Sequence, residues 1–87
     1  MYNIAETNSL LKSIKKKKLE QIYTKIQTEI FPLISQEPHF GPNIKRLTGN
    51  LDGLHRYRIG NYRLIYIIDE EKKVIFLSDL VHRKDAY

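Results

Sequence analysis

A glycine-asparagine pair, Gly60-Asn61, lies between two runs that alternate apolar and polar residues, LHRYRI before it and YRLIYII after it. Two-residue hairpin loops need positive φ at one or both central positions, and Gly and Asn supply it at little steric cost. The turn therefore fixes a register in which Ile59 faces Tyr62, Arg58 faces Arg63, Tyr57 faces Leu64 and Arg56 faces Ile65. Side chains alternate faces along a strand. Arg56, Arg58 and Arg63 thus share one face, and Tyr57, Tyr62 and Tyr66 share the other with His55, which assigns the tyrosines to packing.

Two arginines directly opposite each other repel, and such pairs weaken a hairpin. A polyanion bound on that face offsets the repulsion, because guanidinium groups stay charged at any working pH and grip phosphate oxygens in a bidentate fork. The net charge of +5 agrees with nucleic acid or an acidic protein as partner.

Before the hairpin, Tyr2 and Ile4 alternate with polar neighbours as a short strand does. Thr7 or Asn8 can cap a helix over about residues 8–16, with Leu10, Leu11 and Ile14 at helical spacing. Lys15, Lys16, Lys17 and Lys18 then form a cationic run that suits a helix end and offers contacts to an RNA backbone. Leu19, Ile22, Tyr23, Ile26, Ile30 and Ile34 mark the core face of a second helix. Pro32 should kink or stop that helix at Phe31, and Pro38, Gly41 and Pro42 make a loop. After the hairpin, Val74 to Val81 reads as a third strand, apolar on both faces. The predicted architecture is α+β: a small antiparallel sheet, built from an N-terminal strand and a C-terminal three-stranded meander, with a two-helix hairpin packed on one face.

At 87 residues the chain forms one domain, residues 1–87. A chain of this size buries roughly 60–65% of its unfolded surface, enough for one modest core. No apolar run approaches the ~18 residues of a membrane span, and the N-terminal residues lack a signal-peptide pattern, so a cytoplasmic location is expected. There are no cysteines, and His39, His55 and His82 are spaced unlike a zinc site. Neither metal nor cofactor is expected.

Several segments in order carry a resemblance: a short first strand, a lysine-rich helical hairpin, Lys45-Arg46-Leu47, Gly53-Leu54, Arg56-Tyr57-Arg58, Tyr62-Arg63-Leu64-Ile65-Tyr66, and His82-Arg83 with Tyr87 four residues beyond. This arrangement resembles the RelE/ParE superfamily of toxins from type II toxin-antitoxin pairs over nearly the whole chain. In the RelE branch the resemblance implies a metal-independent endoribonuclease that enters the ribosomal A site and cleaves mRNA there. A ribose 2′-OH attacks the adjacent phosphodiester, giving a 2′,3′-cyclic phosphate and a 5′-OH fragment. The implied partners are a cognate antitoxin, the ribosome and mRNA.

Residue by residue, the resemblance assigns catalytic positions to Arg56, Arg58, Arg63, Arg83 and Tyr87, with Arg63 and Arg83 stabilising charge on the phosphate. Lys15, Lys16, Lys17, Lys18, Lys45 and Arg46 would bind the RNA backbone. Arginine stands at positions 56 and 58 where well-known relatives carry lysine, and arginine is a poor proton shuttle. Other relatives use a glutamate base before the second strand, but Gly41 to Leu47 contains no carboxylate. His82, whose side-chain type titrates near ~6.5, is therefore the candidate proton carrier. Two alternatives follow from the resemblance: a ParE-like toxin that poisons DNA gyrase, and a member that binds its antitoxin without a competent acid-base set.

Overall fold

The computed structural model describes residues 1–86. Strand β1, Asn3–Glu6, leads directly into helix α1, Asn8–Lys17. Thr7 joins them: its Oγ1 accepts from the Leu10 N–H at 3.2 Å and donates to the Leu77 carbonyl at 2.6 Å, so one hydroxyl caps the helix and ties it to the sheet. Leu10 and Ile14 bury the inner face of α1.

The helix ends where Lys18 turns left-handed at φ 58°, and the Leu19 N–H reaches back to the Ile14 carbonyl at 2.9 Å. This reversal is usually made by glycine. Helix α2, Glu20–Lys25, then passes through a π turn at Ile26–Ile30 into α3, Phe31–Gln36. Pro32 therefore does not stop the helix. The widened turn lets the Phe31 N–H bond to Ile26, and Pro32 sits in the first turn of α3, where no N–H is required of it. The departure from α geometry thus falls at Ile26–Ile30, just before Phe31.

Four strands follow: β2, Ile44–Arg46; β3, Leu54–Ile59; β4, Tyr62–Asp69; and β5, Val74–His82. They join β1 in one five-stranded sheet of order β1-β5-β4-β3-β2. The architecture is the expected α+β layer, but the sheet is mixed and five-stranded where a smaller antiparallel one is expected. Strand β2 extends the meander at one edge, and β1 pairs parallel to β5. Three residues are too few for β2 to show an alternation, and a pairing about seventy residues apart in sequence leaves no local pattern.

The β3–β4 register is the one the turn predicts, including Arg58 opposite Arg63. Gly60 has φ +56°, and Asn61 is not among the positive-φ residues, the sign pattern of a type II′ turn. The helices cover one sheet face, where Tyr57, Leu64, Tyr66, Ile75, Leu77 and Leu80 meet Leu10, Ile14, Tyr23, Ile26 and Ile34. Tyr66 is fully buried, and its hydroxyl donates to the Pro38 carbonyl at 2.7 Å. Burying each such aliphatic side chain contributes about 1.5–3 kcal/mol, and this core positions the opposite face. Among the described residues no helix is long and apolar enough to cross a membrane.

Candidate functional site

The face away from the helices carries two cross-strand rows. One runs Lys45, Arg56, Ile65, Asp79 over β2 to β5; the next runs Arg58, Arg63, Val81 over β3 to β5. Ile65 and Val81 are buried, at 1% and 8% exposure. Cations thus flank a narrow apolar strip, an arrangement suited to the long stems of arginine.

Backbone oxygens orient two of these guanidinium groups. Arg63 Nη1 donates to the carbonyls of Gly60 at 3.0 Å and Tyr62 at 2.9 Å, and Arg56 Nη1 donates to the Asn43 carbonyl at 3.0 Å. Among the described residues no carboxylate lies within 4.0 Å of Arg56, Arg58 or Arg63. Burial first, then Arg63 and Arg58, lowers the Arg56 pKa from its ordinary value, and a guanidinium remains a cation under any working condition. Three cations, two of them held by backbone carbonyls and none with a carboxylate within 4.0 Å among the described residues, form an arrangement able to accept phosphate oxygens.

The lysine run divides around α1. Lys16 and Lys17 line an open cleft with Ser9, Lys12, Ser13 and Asp79, and Lys17 Nζ donates to the Leu80 carbonyl at 3.4 Å. The cleft thus adjoins the arginine rows across β5. Lys15 faces a different groove, between α1 and α2, with Leu11 and Tyr23. Lys18 is taken up in the left-handed helix end.

Lys45 stands in the arginine rows, but Arg46 alternates to the other face, where it pairs with Asp52 at 3.3 Å. There it lines a cleft of about 280 Å³ with His39, Phe40, His55 and Glu70. His55 is stacked on Tyr66 with ring centroids 5.7 Å apart and leaves Nδ1 buried and without a hydrogen-bond partner among the described residues. Burial, then the charges of His39 and Arg46, holds its pKa below the ordinary histidine value.

His82 does not join the arginines. Val81 is the residue opposite Arg63, so His82 pairs with Tyr62 on the helix side and meets its ring edge-on at 5.4 Å. Its Nδ1 accepts the Lys84 N–H at 3.2 Å. Arg83 is exposed one residue past β5, held in line by its N–H to the Asn61 carbonyl at 2.7 Å. Tyr87 lies outside the described residues. Lys12 and Asp79 were not among the sequence candidates. Lys12 precedes Lys16 by one helical turn, and Ser78-Asp79 is the one polar interruption in an apolar strand. Among the described residues no group of three or more His, Asp or Glu side chains is placed to hold a metal ion.

A model of the family described as the ParE toxin of type II toxin-antitoxin systems, parDE, matches residues 5–87. A chain of the archaeal RelE-RelB complex from Pyrococcus horikoshii OT3 is similar at 27% identity and TM-score 0.73, over 98% of each chain. The toxin-antitoxin complex RelBE2 from Mycobacterium tuberculosis contains a chain 25% identical with TM-score 0.73, over 94% of this chain and 98% of that one. A chain of the Staphylococcus aureus YoeB-YefM complex shares the fold at 20% identity and TM-score 0.68, over 91% of this chain and 93% of that one. No curated protein matches the chain.

Proposed function

The chain belongs to the ParE toxin family of type II toxin-antitoxin systems, and within it we propose that this protein is a RelE-like endoribonuclease that cleaves mRNA on the ribosome. The observation that carries this reading is the pairing of Arg58 and Arg63 across β3 and β4, with no carboxylate within 4.0 Å of either among the described residues. Such a face is complementary to a phosphodiester. Arg63, braced by two carbonyls, and Arg83 at the adjoining strand end would take the negative charge that grows on the phosphorane, while Arg56, Arg58 and Lys45 hold flanking phosphates. Binding energy aimed at developing charge accelerates the step more than binding the ground state does. Translation would stop, in the cytoplasm, as messages are cut.

The cognate antitoxin is the second partner. Acidic antitoxin segments over the same face would neutralise the opposed arginines and exclude RNA from them. Primer extension on an mRNA in a reconstituted translation reaction tests the reading: codon-phased cuts that require both ribosomes and the protein are expected. The family match itself favours a second reading, gyrase poisoning. Relaxed or cleaved plasmid in a supercoiling assay, with mRNA left intact, would replace the first reading with the second.

A further inference from the structure

The cations of the arginine rows cannot accept a proton, and His82 faces the other way. The sheet supplies one nearby. Two carboxylates occupy ladder positions on the arginine face: Asp69 at the far end of β4, its Oδ1 engaged by the Lys72 N–H, and Asp79 in the row of Arg56. Arg63 faces Val81, so Asp79 occupies its diagonal cross-strand position, about 7–8 Å away and within side-chain reach.

A register shift between Ile65 and Tyr66 puts Asp79 beside a bulge at Ser78. Bulges re-aim side chains and recur beside active sites. Asp79 Oδ1 is fixed by the Leu80 N–H at 2.8 Å, whereas Oδ2 has no protein partner among the described residues. On its other side stand Lys12, Lys16 and Lys17 across the open cleft. None of them lies within 4.0 Å as an ion pair. A carboxylate kept for stability in such company would be paired. One left free on a face built for a polyanion weakens ground-state binding, and the chemical step can use what binding loses.

We propose that Asp79 is the general base of the RNA cleavage reaction. The inference rests on the ribonuclease reading above. With the scissile phosphate on Arg63, Oδ2 removes the proton from the neighbouring 2′-OH as the 2′-oxygen bonds to phosphorus. The P–O5′ bond breaks, its electron pair stays on O5′, and that oxygen takes a proton from water. The products are a 2′,3′-cyclic phosphate and a 5′-OH. Asp79 then returns its proton to solvent.

The test compares wild type, Asp79→Asn and Asp79→Glu in single-turnover cleavage of mRNA on programmed ribosomes across pH, with ribosome affinity measured in parallel. The amide retains the Oδ1 that accepts from Leu80, so the bulge is kept. Asp79→Asn is expected to cut about 10²–10⁴-fold more slowly, to bind equally or more tightly, and to lose the acid limb of the pH–rate profile. Asp79→Glu is expected to recover a measurable part of the rate. Equal cutting by wild type and Asp79→Asn would overturn the assignment and leave the ribonuclease reading intact. A rate loss matched by an equal loss of binding, with the acid limb unchanged, would do the same. A wild type that cuts no RNA would overturn both.

Discussion

Arg58 and Arg63 sit opposite each other with no carboxylate within 4.0 Å among the described residues, and a like-charge pair in that position destabilises by about 0.2–1 kcal/mol. Arg58→Thr, a β-branched neutral residue at the same ladder position, is therefore expected to raise the melting temperature of the free protein by about 2–4 °C at low ionic strength. The gain should shrink in high salt as the repulsion is screened, and RNA affinity should fall. Differential scanning calorimetry at two salt concentrations checks this. His55 makes the stability depend on pH. Burial first, then His39 and Arg46, depresses its folded pKa, whereas the unfolded chain takes up the proton near ~6.5. The unfolded state then binds more protons, so stability is full above about pH 6.5 and is lost as pH falls towards the folded value. Melting temperature should drop between pH 7.5 and 5.5 in the wild type, and His55→Phe should flatten that drop. At this scale the arginine face was legible because one turn fixed the alternation. The facing of His82 was not, because it depends on which β5 residue meets Arg63, and a strand apolar on both sides carries no register signal.

Helix α1 shows what local chemistry decides on its own. The Thr7 cap and the Leu10, Leu11, Ile14 spacing place it in the sequence within a residue of its observed end. Its reversal is less ordinary, since a lysine occupies the left-handed position. That conformation costs an L-residue with a Cβ about 1 kcal/mol and glycine almost nothing. Lys18→Gly should raise the melting temperature by about 4–8 °C, with an unchanged circular dichroism spectrum; a decrease would show that the lysine stabilises the turn. The π turn was hidden for the opposite reason. Pro32 announces a break, but whether a helix stops or widens depends on the tertiary packing of Ile26 and Ile34, both fully buried. Strand β2 and the parallel β1–β5 pairing likewise follow from the assembled sheet and not from their own residues.

The whole molecule sorts its chemistry by face. One side of the sheet buries the tyrosines and aliphatic residues under the helices, and the other presents cations bordered by the α1 lysines. An excess of five positive charges does not by itself produce such sorting; the hairpin register does. A partner that covers this face should stabilise the fold through mass action, so the antitoxin complex is expected to melt well above the free protein, and equal melting temperatures would count against a shared surface. The sorting predicts that charge on the arginine face, and not charge elsewhere, drives cleavage. Single-turnover mRNA cleavage on ribosomes would be measured for wild type, Arg63→Ala and Lys25→Gln, the last removing one charge from α2 on the helix side. A loss of about 10²–10³-fold is expected in Arg63→Ala, with wild-type cleavage in Lys25→Gln. Equal losses in the two variants would show that net charge alone matters, and an unchanged rate in Arg63→Ala would contradict a catalytic role for the arginine face.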